Sequence, residues 1–417
     1  MCIRDRRQKI ANGEWKPLSD SYLQEPQDGY DVQTTLDVNI QDVTHHALLG
    51  ALENFEADHG TAIVMETETG AIRAVANLGR TKEGKYYEKL NYAIGESHEP
   101  GSTFKLMALV AALEDQVVDT MTVFDTQNGE LTFYGKYKVR DSRKGGYGKI
   151  PITEIFERSS NTGMVQAIYN EYNSKPEQFV NRLMNMGLSE PLGLPIVGEA
   201  KPFIPHPDKK GWSGISLPWM AYGYGVLMTP MQTLTFYNAI ANDGVMIRPR
   251  FIEGTQNTRS QIKNQSEVEI INPSICSKET IGKVKSMLKG VVEKPWGTAH
   301  NIYDPNFAIS GKTGTCQLDY NTEEVQYVAS FVGYFPSDQP KYSCIVVIHR
   351  PDKEKGYFGN QVAAPVFQTI AHKLYSSIPR ETKLSRDRYL EITGNKSETN
   401  QSVVEADVKL TKTQKKS

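Results

Sequence analysis

The chain has 417 residues, 39% hydrophobic and 23% charged, enough apolar side chain to bury a sizeable core. Lys and Arg number 47 against 49 Asp and Glu, a net charge of −2, so no charge excess points to a nucleic-acid partner. No apolar run reaches the roughly 18 residues of a membrane helix, and Cys2, Cys276, Cys316 and Cys344 have the spacing of neither a disulfide framework nor a zinc site.

The opening MCIRDRR has no apolar core of a signal peptide and reads as a scar joined to an interrupted chain, with the native N-terminus missing. Residues 8–35 are polar and irregular, as in a linker. Ile40, Val43, Ala47, Ala51 and Phe55 recur at helical spacing and predict an amphipathic helix. On it His45-His46 is the one histidine pair, expected on a solvated face rather than at a metal. Runs 61–66 and 71–78 flank the turn Glu68-Thr69-Gly70 and read as a β-hairpin. A polar loop, 79–99, leads to GSTFKLMALVAALED, where Lys105 is the one polar residue between Phe104 and Leu113. A helix apolar on nearly all sides is a buried helix.

Short polar strands are expected over 120–150, then a helix, a turn and a helix over 152–172. A mostly helical stretch runs to 300, broken by a Pro/Gly-rich loop near 191–218. Residues 229–244 form a helix with Pro230 at its start and Gly244 at its stop. Strands follow at 306–318, 327–335 and 342–350, and a closing helix at 363–375. From about 381 the composition is that of a disordered tail. Strands at both ends with helices between them imply an α+β fold. The hairpin and the last three strands make a five-stranded antiparallel sheet packed on a helical block.

The lone lysine carries the chemical argument. Glu99-Pro100-Gly101 forms a tight turn that places Ser102 at the start of the helix, where N–H groups are unpaired and the dipole favours negative charge. Lys105, three residues on, lies about 5–6 Å away at Cβ. Desolvation by its apolar neighbours lowers its affinity for a proton, and a neutral amine beside a hydroxyl is a general base for a nucleophile. The bland alternative is a capping serine and a snorkelling lysine. S-x-x-K alone is weak, since it also occurs at Ser260/Lys263 and Ser286/Lys289.

Two motifs shift the balance. Ser159-Ser160-Asn161 is the one S-x-N, and Lys312-Thr313-Gly314 the one K-T-G. A hydroxyl at Ser159 can relay a proton between Lys105 and an amine. Asn161 can orient Lys105 and the substrate backbone. Lys312 adds positive charge that disfavours a proton on Lys105 and attracts an anionic substrate. The hydroxyls of Thr313 and Thr315 can bind a carboxylate, and Gly314 lets substrate lie close against the strand. The backbone N–H groups of Ser102 and Thr315 would form an oxyanion hole. A helix cap and a strand turn would explain the two motifs singly; the ordered trio is the pattern of penicillin-binding proteins and serine β-lactamases.

HGTAIVMETETGAIRAVANL, EPGSTFKLMALVAALED, RSSNTGM, GYGVLMTPMQTLTFYNAIANDG and GKTGT resemble the transpeptidase domain of class B penicillin-binding proteins over about residues 31–378. The ANLGR…YYEKLNYAIGESHEPGSTFKL stretch is most similar to the cell-division, FtsI-like members. The resemblance implies the penicillin-binding/serine β-lactamase-like transpeptidase fold and a D,D-transpeptidase that crosslinks peptidoglycan stem peptides through a Ser102 acyl-enzyme, inhibited by β-lactams. It implies no cofactor. It also implies a lipid II polymerase and division-complex proteins as partners, and a place on the extracytoplasmic face of a bacterial membrane, held by an N-terminal helix missing here. The expected organisation is 1–30 scar plus linker or pedestal remnant, 31–380 transpeptidase domain, 381–417 polar tail. A class A β-lactamase would need an E-x-x-L-N carboxylate between 162 and 311; none occurs, and Glu190 is the nearest candidate. A β-lactam sensor or non-crosslinking scaffold of the same fold is the other alternative. Cys316, directly after KTGT, is expected to pack within its strand.

Overall fold

A computed structural model describes residues 7–17, 29–256, 263–318 and 325–377. The chain divides into a large unit, 1–373, and a second, 374–417, of which Leu374–Ser377 is described. The expected tail at 381–417 lies outside the described residues, as do residues 18–28 of the expected N-terminal linker.

Helix α1 (Val38–Asn54) starts where the Asp37 carboxylate accepts from the N–H groups of Asn39 and Ile40 at 2.9 and 3.1 Å. Its buried stripe is Thr44, Leu48 and Leu52, one position beyond the predicted face; the predicted residues flank it, half-buried. The period was legible, but the larger Leu side chains take the core and the alanines border them. Gly60 lies beneath: a Cβ there would come within 3.1 Å of Leu52 and 3.3 Å of Leu48.

The main sheet contains β1 (His59–Glu66), β2 (Ile72–Arg80), β3 (Tyr86–Glu88), β4 (Ser310–Leu318), β5 (Gln326–Phe335) and β6 (Tyr342–His349). Its order is β4-β5-β6-β1-β2-β3, antiparallel throughout. It has six strands, not the expected five. The extra strand, Tyr86–Glu88, lies in the segment read as a polar loop and pairs with Leu78–Arg80 at the far edge. Three residues carry too little alternation to be read as a strand; pairing with a long neighbour makes them one. Strand β4 is the opposite edge, so alternate backbone N–H groups along it face away from the sheet.

Between the two halves of the sheet the chain builds the helical block. Helix α2 (Lys105–Glu114) is buried from Lys105 to Leu113, as its composition predicted. Helix α3 (Ile152–Glu157) and helix α4 (Asn161–Tyr172) form the expected pair. Helix α5 (Pro230–Ala241) is buried over its whole length, opened by a capping box between Thr229 and Gln232. Its one deeply buried amide, Asn238, is satisfied by donating to Thr67 O (3.1 Å) and accepting from Ser343 Oγ (2.8 Å). Helix α6 (Lys278–Glu293) carries Ser286 and Lys289; Lys289 pairs with Asp338 at 3.2 Å on the surface, so that S-x-x-K is a solvated face. Ser260 lies outside the described residues.

The stretch 160–300 is less helical than expected. Strand Ile252–Gln256 pairs with Asp31–Thr34, inside the expected linker, and short strands lie at Met246–Ile247 and Ile270–Asn272. Both pairings join distant segments, which local periodicity cannot register. Helix α7 (Ala364–Ser377) closes the described chain and seats Phe367 edge-to-face on Phe331 (4.8 Å) and Phe335 (5.6 Å).

Those three rings are wholly buried. Phe331→Ala is expected to destabilise the fold by about 3–5 kcal/mol, the transfer loss plus the cavity left behind. Urea unfolding monitored by circular dichroism measures it; a loss below about 1 kcal/mol would place this seam outside the cooperative core.

Candidate active site

Three segments distant in sequence converge at the edge formed by β4. The first is the turn into α2. Gly101 has φ 54°, the left-handed region that favours glycine, and its N–H donates to Gly223 O at 3.1 Å. A Cβ there would stand 3.2 Å from that of Cys316. Residues Gly101–Phe104 form a single 3-10 turn, pinned by Thr103 Oγ1 donating to Pro100 O (2.8 Å) and Tyr237 OH donating to Thr103 O (2.8 Å). Ser102 faces the cleft, and Lys105, the first residue of α2, is fully buried behind it.

The second segment joins α3 to α4. Ser159 sits at φ 57°, a costly conformation for a side-chain-bearing residue that only its surroundings can hold. Ser160 is the helix cap, accepting from Gly163 N at 3.0 Å. Asp141 holds the turn from outside: its Oδ1 accepts from the backbone N–H groups of Asn161 (2.6 Å) and Thr162 (3.0 Å), and its Oδ2 from the hydroxyls of Ser160 and Thr162 (both 2.9 Å). Asn161 Nδ2 donates to Arg140 O at 2.7 Å, which leaves its Oδ1 aimed inward.

The third is β4. Lys312, with no exposed surface, donates from Nζ to Ser159 Oγ at 2.8 Å. Lys105 Nζ donates to Ser159 O (2.7 Å), Ser159 Oγ (3.1 Å) and Asn161 Oδ1 (2.6 Å). One hydroxyl therefore bridges two buried amines. Burial lowers Lys105 to about 7, against a smaller opposing pull from the Asp141 carboxylate. Burial also holds Lys312 well below the usual lysine range, and charge on Lys105 lowers it further. A low-dielectric site disfavours a proton on both amines at once.

Ser102, Ser159, Asn161, Thr313 and Thr315 line one cleft of about 710 Å³, with Arg140, Arg143 and Arg158 along one wall. Lys105 and Lys312 lie beneath its floor. Thus all eight sequence-selected residues meet here, though not always in the expected posture. Among the described residues Lys105 bonds to Ser159 and Asn161 rather than to Ser102; such catalytic bonds are often long without substrate. The exposed positive charge is that of the arginines, since Lys312 is buried. A Cβ on Gly314 would collide first with Ser330 Oγ of β5 and then come within 2.9 Å of Thr103 and 3.4 Å of Pro100 O, so its bareness admits both the neighbouring strand's serine and the protein's own serine turn. Thr313 Oγ1 is 2.8 Å from Thr298 Oγ1, and Thr315 Oγ1 accepts from Gly359 N at 3.0 Å. Sequence reasoning missed Asp141, whose one signal was to be the single acid among Arg140, Arg143 and Lys144. It also missed Thr298 and the arginine wall. Cys316 is buried, as expected of a packing residue.

Residues 60–372 match the penicillin-binding protein transpeptidase domain family. The chain is 28% identical over 364 residues to the peptidoglycan D,D-transpeptidase FtsI of Buchnera aphidicola subsp. Schizaphis graminum, covering 85% of this chain and 58% of that protein. It is 27% identical over 370 residues to stage V sporulation protein D of Bacillus subtilis, covering 86% and 56%. It therefore spans a little over half the length of these relatives. Among solved structures, the transpeptidase domain of Burkholderia pseudomallei penicillin-binding protein 3 superposes with a TM-score of 0.69 at 28% identity, covering 85% of this chain and 98% of that one. Penicillin-binding protein 3 of Mycobacterium tuberculosis, complexed with ampicillin, does so at 0.73 and 27% identity, covering 86% and 81%.

Asp141→Ala strips the start of α4 of its acceptors. A loss of about 1–3 kcal/mol in urea unfolding is expected, from two N–H groups and two hydroxyls left short of partners. An unchanged midpoint would mean that the Ser159 turn is held by other contacts.

Proposed function

The chain belongs to the penicillin-binding protein transpeptidase family, and from that premise we propose that it is a peptidoglycan D,D-transpeptidase working through a Ser102 acyl-enzyme. The observation that carries this reading is the buried Lys105–Ser159–Lys312 chain under a cleft lined by Ser102. Neutral Lys105 takes the Ser102 proton as Oγ attacks the carbonyl between two terminal D-alanines of a stem peptide. The C–N bond then breaks. The leaving amine receives a proton through Ser159, and an ester to Ser102 remains. An amine of a neighbouring stem attacks the ester, forms the new amide and returns a proton to Ser102. The N–H groups of Ser102 and Thr315 receive the oxyanion in both halves. A β-lactam enters the same path and stops at the ester.

The arginine wall suits a substrate that carries carboxylates. Hydrolysis of the ester would need a carboxylate over a water. The one acid lining the cleft among the described residues is Asp141, whose oxygens serve the start of α4; Glu190 lines a separate small pocket. That favours slow deacylation over β-lactamase activity. The proposal extends to septal wall synthesis at the extracytoplasmic face, beside a lipid II polymerase and division proteins; what supports it is the resemblance of residues 76–106 to FtsI-like members, while the FtsI relative's name carries the D,D-transpeptidase activity alone. Among the described residues no helix is long and apolar enough to cross a membrane.

Fluorescent penicillin is expected to label the protein and not Ser102→Ala, with the adduct on the Ser102 peptide by mass spectrometry; label surviving in that variant would remove Ser102 from its role. Lys105→Ala is expected to slow acylation by about 10²–10⁴-fold.

The base must be neutral, so acylation should rise with pH through about 7 and level off above it. Because the Asp141 charge helps hold the proton on Lys105, Asp141→Asn should move the rise to lower pH. Stopped-flow acylation between pH 5 and 9 reads both, and a flat profile would exclude Lys105 as the titrating base.

A further inference from the structure

The free edge of β4 is not open along its whole length. Gln317 N donates to the Tyr224 hydroxyl at 3.0 Å, so this N–H faces away from β5, and both residues line the cleft. In an antiparallel ladder the backbone groups of a strand alternate between its two sides. The N–H groups of Thr313 and Thr315 therefore face the same way as that of Gln317. A row of outward donors runs along the cleft, and a phenol already takes the last of them.

Tyr224 is fixed in that place. Its N–H donates to Trp219 O at 3.0 Å, in the short helix Ser216–Met220. Gly223 and Gly225 flank it at φ 88° and 72°, left-handed positions that let the chain reverse there. Gly223 O accepts from Gly101 N, and Gly225 N donates to Glu99 Oε1 at 2.8 Å, which ties this loop to the serine turn. The ring packs on Tyr222 with centroids 4.9 Å apart, and the hydroxyl also bonds the Cys316 side chain. The phenol is thus built into the edge of the sheet.

We propose that Tyr224 is a specificity-determining stop on the β4 edge, which confines backbone pairing of the donor peptide to its D-alanyl-D-alanine end. The inference rests on the proposed reading of the cleft. There the carbonyl of the acylated D-alanine meets Thr315 N–H, and the C-terminal carboxylate lies toward Thr313. The rest of the stem then runs antiparallel to β4, toward Gln317. Every second residue of an added strand pairs with an outward position of its neighbour. The residue two before the acylated D-alanine would give its carbonyl to Gln317 N–H, and the Tyr224 hydroxyl holds that N–H. An N–H already satisfied within the protein gives little net gain to a ligand that must displace its partner. The stem leaves the strand at that point, so residues further upstream are read by their side chains and not by their backbone.

The test uses the full chain and two peptides of the form acyl-X-D-Ala-D-Ala, with X a neutral residue. In one the acyl group is joined by an ordinary amide, whose carbonyl takes the position opposite Gln317. In the other an (E)-alkene of the same length replaces that amide. Each competes against fluorescent penicillin for Ser102. In the wild-type protein the two peptides are expected to compete within about twofold of each other. In Tyr224→Ala, which frees both the N–H and the space, the amide peptide should gain at least about fivefold over the alkene. An advantage of about fivefold or more for the amide in the wild-type protein overturns the proposal. Equal competition in a folded Tyr224→Ala does so too, as does failure of both peptides to compete. Should that variant not fold, the wild-type ratio decides alone. Labelling separates this inference from the reading it rests on. No Ser102 adduct in the wild-type protein removes the transpeptidase assignment and the stop with it, whereas a labelled protein with a wild-type amide advantage removes only the stop.

Discussion

Two buried amines on one hydroxyl form the constraint around which this site is arranged. Lys105 and Lys312 are wholly inside the protein, and Ser159 Oγ lies between them at 3.1 and 2.8 Å. Taking an ammonium out of water costs several kcal/mol, and two such charges side by side cost more. The pair is therefore driven toward having at least one free amine near neutral pH. A lysine on the surface would stay charged and useless as a base. The hydroxyl between the amines can accept a hydrogen bond from one and donate to the other, so a proton can move along the line without either side chain shifting.

Such a strained arrangement persists only on a stiff support. Lys105 rides on a helix buried from end to end, and Lys312 on the edge strand of a six-stranded sheet. Ser159 is held at φ 57° by a turn whose far side is tied to Asp141. The serine turn is pressed directly onto β4 at Gly314, where a methyl group would collide with Thr103. Together they keep Ser102, Asn161 and Thr313 lining a single cleft. The rigidity is spread over elements 54 to 153 residues apart in sequence, which is why losing one partner affects geometry more than identity.

That spread also explains what the sequence disclosed. The residues proposed to do the chemistry sit in short strings whose types are constrained at fixed spacing, so Ser102, Lys105, Ser159, Asn161 and Lys312 could be selected before their convergence was seen. The α+β class followed from runs long enough to show a period. Features created by pairing across the chain could not be seen. Tyr86–Glu88 is a strand because Leu78–Arg80 lies beside it, and Asp31–Thr34 because Ile252–Gln256 does. The stripe of α1 shifted by one residue because volume, not only polarity, decides which side chain meets Gly60. Asp141 was illegible for the same reason: what makes it matter is α4 arriving against it.

The division of labour among positive charges follows from the same physics. A lysine sequestered enough to act with a base cannot also project a field into the cleft, because burial that removes its proton removes its charge. Attraction of an anionic substrate must then come from elsewhere. Arg140, Arg143 and Arg158 line the cleft. Arg140 and Arg158 are each held by a carboxylate, Glu130 at 2.8 Å and Glu154 at 2.6 Å, with Arg140 well exposed and Arg158 half-buried. Under the proposed function, recognition and proton transfer fall to different cations, the cleft-lining arginines and the buried lysines, and each can be altered by substitution without abolishing the other.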